Sequence, residues 1–153
     1  MPSSDSVLEK DLSTRKMPNG IRLLFIVFLL FNFFWIYIYY IANRLTEAQI
    51  AAMPEQGRAL YLDIPEWVMI AGGIGLVSSV IGLTLVLFGK RTGIWFLLIT
   101  LIGVLLRDGW FIYDGRVWEL IPKQSLILSS ISVVIFIMQF LIALYASNKK
   151  WLK

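Results

Sequence analysis

Arg107 and Asp108 stand side by side in an otherwise uncharged apolar run that begins at Gly93. An arginine is a permanent forked donor, and an aspartate is an acceptor when ionised and a donor when protonated, so the two could grip a polar solute or move a proton. An ionisable group inside a hydrophobic span costs a few kcal/mol on insertion scales, which makes the pair a functional-site hypothesis by default. Neighbouring residues on a helix do not face each other. The expectation is therefore that each seeks another partner, with Asp63 or Glu66 near Arg107.

Taking about 1.5 Å of rise per residue and a hydrocarbon core of about 30 Å, Arg107 lies in the outer third of its span. Tyr37, Tyr40, Ser129 and Ser130 fall at similar levels in other apolar runs. These six residues form the candidate ligand-binding set, an outer polar shelf. By the same measure Asn32 falls near mid-membrane with Ser78 and Ser79, and Gln139 lies too deep to meet Arg107. Interhelical hydrogen bonding is the expected role of these deeper groups.

Other chemistry is constrained by what the chain lacks. Its 153 residues include no histidine and no cysteine, which removes the usual general base, most metal ligands and thiol redox chemistry. No phosphate loop or nucleophile–base arrangement is present. The reading is of a chain with no catalytic residues, no metal, no cofactor and no enzymatic activity.

The elements that must position the shelf are legible from composition. Apolar residues make up 58% of the chain and charged residues 16%, against roughly 25% charged in a soluble domain. Four apolar runs, at about residues 21–42, 67–88, 93–113 and 124–146, each match the roughly 20 residues that a bilayer requires. The predicted fold is all-α, an integral membrane four-helix bundle. It is one domain spanning residues 21–146, flanked by tails at 1–20 and 147–153. A turn of four residues, Gly89 to Thr92, makes the second and third spans antiparallel neighbours.

Charge sets the orientation. Nine cations (Lys10, Arg15, Lys16, Arg22, Lys90, Arg91, Lys149, Lys150 and Lys153) fall on one side, and four (Arg44, Arg58, Arg116 and Lys123) on the other. The positive-inside rule then places both termini in the cytoplasm. Basic residues flank spans instead of forming one patch, so the formal charge of +4 argues for membrane orientation and against nucleic acid. Trp67, Trp95, Trp110, Trp118 and Trp151 sit near span ends, as an interfacial belt requires.

The leader ends in Pro18, Asn19 and Gly20, a boundary signal before the first helix, and its Ser-rich, charged stretch is expected to be partly disordered. In the outer loop, Thr46 with Gln49 three residues later is a capping box, and Pro54 should split the loop into two short helices before Pro65 opens the second span. In that span Ala71, Gly75, Ser78, Ser79 and Gly82 share one face, a small-residue packing surface. Asn32 is assigned to the same seam.

Three stretches carry a resemblance: LTEAQIAAMPEQGRALYLDIPEW from Leu45 to Trp67, GKRTGIWFLLITLIGVLL from Gly89 to Leu106, and KKWLK from Lys149 to Lys153. Through them the chain resembles a family of small four-span bacterial inner-membrane proteins, functionally uncharacterised and commonly labelled sugar transporters. The resemblance covers about residues 21–153. It implies the four-helix topology, the structured outer loop and a bacterial inner-membrane location. The chain departs from the family pattern at Arg107, where an uncharged polar residue, often glutamine, is usual. The expected function is a membrane interaction or accessory protein, working in the lipid bilayer with a membrane-protein partner or a second copy. The alternative is a carrier or channel component for a small polar solute such as a sugar.

Overall fold

The computed structural model describes residues 16–114 and 123–153. Among the described residues it is all-α, with six helices. They are α1 (Asn19–Ala42), α2 (Glu47–Ala51), α3 (Glu55–Leu62), α4 (Glu66–Leu87), α5 (Gly93–Asp114) and α6 (Lys123–Asn148). Of these, α1, α4, α5 and α6 are long and apolar enough to cross a membrane. The shortest of the four, at 22 residues, extends about 33 Å, enough for the hydrocarbon core.

Helix boundaries follow local signals. Pro18 occupies the N-cap of α1 and Pro65 that of α4, where a missing N–H costs nothing. As a result α1 takes in Asn19 and Gly20, which the sequence assigns to the leader. Thr46 and Gln49 form the expected capping box at the start of α2, and Pro54 separates α2 from α3. Residues 1–15 of the leader, where disorder is expected, and Arg116 and Trp118 lie outside the described residues.

Four spans pack as consecutive antiparallel neighbours: α1 on α4, α4 on α5 and α5 on α6. Side chains of α1 and α6 complete the ring through Phe31 on Phe136, at a centroid distance of 6.1 Å, and through Asn32 and Gln139. In α4, 44% of the apolar window is buried, against 17% in α1, so α4 is the element around which the others gather. Phe25, Phe28, Leu83, Val86, Leu97 and Ala143 build the core toward the end that carries the termini. Leu76, Val104 and Phe136 continue it toward the outer loop.

At the terminal end two helix stops meet. Gly89 ends α4 with a φ of 75°, and the Lys90 N–H donates back to the Leu85 carbonyl, the bond of a Schellman motif. Lys150 does the same for α6 with a φ of 57°, and the Trp151 N–H donates to Ala146. The two ends are then clipped together by main-chain hydrogen bonds. Lys153 donates to the Gly89 carbonyl at 2.7 Å, and Arg91 donates to the Lys153 carbonyl at 2.8 Å. Residues 147–153, which the sequence suggests are a basic tail, are thus partly helical and partly docked.

Candidate functional site

Arg107 and Asp108 form an ion pair with each other. Arg107 Nη2 lies 2.7 Å from Asp108 Oδ1, and Nε donates to the same oxygen at 2.8 Å. This corrects the expectation that adjacency forbids the contact. The 100° divergence governs Cβ directions, whereas the long arginine stem can turn its guanidinium back onto the next residue. Both side chains are largely buried, at 21% and 14% exposure, where mutual neutralisation matters most. Asp108 Oδ2 is buried with no hydrogen-bond partner among the described residues.

A glycine pair on α4 makes room for this arrangement. A Cβ on Gly72 would lie 2.9 Å from Arg107 Cδ, and one on Gly73 would lie 3.3 Å from the Tyr39 hydroxyl. The arginine stem from α5 and the Tyr39 ring from α1 thus both rest in a notch on α4. The Tyr39 hydroxyl donates to the Met69 carbonyl, and Asn43 Nδ2 donates to the Tyr39 carbonyl at 2.7 Å. Tyr61 from α3 donates to the Ala42 carbonyl at 3.3 Å, which draws the outer loop over the bundle.

Beneath that loop is a pocket of about 190 Å³, lined by Tyr39, Asn43, Tyr61, Ile64 and Phe111 with Arg107 on its wall. Among the described residues it presents one cation, a few hydroxyl and amide groups and a mainly apolar lining. Such a lining suits a small, largely apolar molecule with an acceptor at one end. The expected shelf therefore exists only in part. Arg107 lines the pocket and Asp108 stands beside it as its ion-pair partner.

Four members of the candidate set lie elsewhere. Tyr37 and Tyr40 are 61% and 53% exposed, with the Tyr40 ring under the Arg44 guanidinium at 4.6 Å. Ser130 is exposed and returns its hydroxyl to the Leu126 carbonyl. Ser129 is half-buried and, like the other described residues of α6, is not part of the pocket lining. The residue that sequence reasoning misses is Tyr39. Its signal is present, because Tyr39 follows Asn32 by seven residues and so shares its buried face, whereas Tyr37 and Tyr40 rotate away from that face.

Deeper in the bundle the polar groups bond to one another. Asn32 Nδ2 donates to Gln139 Oε1 at 3.3 Å, and Ser79 Oγ donates to the same oxygen at 3.1 Å. Asn32, Ser79 and Gln139 are fully buried. The depth match of Asn32 with Ser79 holds, while Ser78 is buried but takes no part in these bonds. Asn32 Nδ2 also returns to the Phe28 carbonyl at 2.7 Å.

The small-residue face of α4 does what its spacing implies. A Cβ on Gly75 would meet the Thr100 carbonyl at 3.3 Å, and one on Gly82 would meet the Gly93 carbonyl at 2.9 Å. From α5 the fit is tighter, since a Cβ on Gly103 would lie 2.6 Å from the Ala71 carbonyl, and one on Gly93 would lie 2.5 Å from that of Gly82. Among the described residues no cluster of carboxylates could hold a metal ion. Comparison with protein-family models, with curated proteins and with solved structures returned no match.

Proposed function

We propose that this chain is a nonenzymatic multi-pass protein of the bacterial inner membrane, a helical accessory subunit that packs laterally against other membrane proteins. The observation that carries the reading is how the interior polar groups are used. Asn32, Ser79 and Gln139 bond to one another, Arg107 engages Asp108, and Leu76, Val104 and Phe136 fill the space between. The Asn32–Ser79–Gln139 bonds thus tie α1, α4 and α6 together, while the Arg107–Asp108 pair neutralises its charges within α5. Broad apolar and aromatic surface, including Phe33, Phe34 and Ile102, faces outward. Both termini lie in the cytoplasm on the positive-inside rule, because Lys16, Arg22, Lys90, Arg91 and the lysines after α6 share one end.

Photo-crosslinking in native membranes tests the proposal. A crosslinker placed at Phe34 or Ile102 should give discrete protein adducts, retained after mild detergent extraction. A lone protomer at both positions would overturn it.

A second reading, a carrier component for a small solute, draws support from the pocket beneath the outer loop. At about 190 Å³ it is smaller than the roughly 300–1,000 Å³ of typical small-molecule sites and its lining is mainly apolar, which disfavours a sugar. Under this reading Arg107→Gln should abolish uptake into proteoliposomes. Flux that survives the substitution would dismiss the pocket as the transport site.

A further inference from the structure

The terminal end of the bundle holds a second and larger recess, an open cleft of about 750 Å³ between the start of α1, the α4–α5 turn and the last residues of the chain. Lys16, Arg22, Lys90 and Lys153 line it, and among the described residues none of its lining is acidic. These cations come from three separate stretches of chain. Main-chain bonds between Lys153 and the Gly89–Arg91 turn hold two of those stretches together, so the charges are gathered by the fold and not by sequence proximity. Like charges brought together this way repel, and an anion in the cleft relieves the repulsion.

Apolar surface continues directly from the charged rim. Ile26 and Phe88 line the same cleft and are 45% and 78% exposed, on helices that span the bilayer. Trp151 lies alongside, half-buried at the level where an amphipathic ring sits in a headgroup region. The N-terminus of α1, which has no side-chain cap, opens here and adds its positive dipole end.

We infer that this cleft is a binding site for an anionic phospholipid, with the phosphodiester held by Lys16, Arg22, Lys90 and Lys153 and an acyl chain lying along Ile26 and Phe88. Lysines supply point charges and Arg22 a fork suited to phosphate oxygens. Basic pockets between spans are the recurring solution for cardiolipin-like headgroups. A lipid is the favoured source of the phosphate because the charged rim and the bilayer-facing surface are continuous. The inference requires only that the bundle sits in a membrane, and does not depend on lateral packing or transport.

Quenching of Trp151 fluorescence by brominated lipid tests it on the full chain in vesicles. Brominated cardiolipin mixed in equal parts with phosphatidylcholine should quench the Trp151 signal, isolated by comparison with Trp151→Phe, well beyond brominated phosphatidylcholine alone. Lys16→Gln with Lys90→Gln should weaken the cardiolipin preference roughly thirty-fold, equivalent to about 1 kcal/mol per cation. Arg44→Gln removes a cation from the opposite end and should leave the preference unchanged, and circular dichroism confirms that each variant is folded. Equal quenching by the two lipids would overturn the inference. So would an unchanged preference in the folded double variant, or saturable binding of inorganic phosphate that displaces the lipid.

Discussion

Two seams of this bundle solve the same problem by opposite means. Between α4 and α5 the helices touch backbone to backbone, with Gly75 against Gly103 and Gly82 against Gly93. Between α1 and α6 they stand apart, and the gap is bridged by Phe31 on Phe136 and by Asn32 on Gln139. In lipid the hydrophobic effect does not draw helices together, so association rests on van der Waals contact and interhelical hydrogen bonds. The first seam relies on contact and tolerates no added atom. The second relies on bulk and polarity, and should tolerate change.

The largest effect should follow from Gly103→Leu. Its new side chain points at the Ala71 carbonyl, a backbone atom that cannot move aside, and the cost should reach about 3 kcal/mol, at the upper end for overpacking. Gly109→Leu is the internal control, since a Cβ at Gly109 would meet nothing within 4 Å. Reversible unfolding in bicelles should separate the two variants clearly. If they behave alike, close approach is not what holds α4 to α5.

Gln139→Leu should cost less, around 1 kcal/mol, with a coupling to Asn32→Leu near 0.6 kcal/mol in a double-mutant cycle. Zero coupling would mean that the aromatic packing alone carries the α1–α6 seam. Smallest, and of opposite sign, is Lys150→Gly. It relieves a left-handed backbone at a non-glycine residue, a gain partly offset by glycine's greater chain entropy, and should raise stability by about 0.5 kcal/mol. A loss of stability instead would show that the Lys150 side chain contributes more than its backbone strain costs.

Span number and the outer helices are readable from sequence because their signals are local. Hydropathy sets each span, Thr46 and Gln49 cap α2, and Pro54 interrupts the loop. The glycine–serine face of α4 is visible as a periodicity, but its counterpart on α5, Gly93 and Gly103, is spaced too widely to stand out. Depth alone is a poor guide to the outer site. Tyr37 and Tyr40 lie at the right level on the wrong face, while Tyr39 has both level and face right. The contact between Arg107 and Asp108 is hidden from sequence because backbone geometry says little about where a long, flexible arginine stem can fold.

The clip between Lys153 and the α4–α5 turn has a consequence for the order of assembly. The turn closes locally, so α4 and α5 can pair as soon as both have entered the bilayer, with the Gly89 carbonyl and Arg91 N–H still facing water. Its partner, Lys153, lies roughly sixty residues further along the chain, and contacts so distant in sequence form late. The hairpin can thus pair before α6 is placed, and docking of residues 151–153 then fixes the end of α6 against the turn.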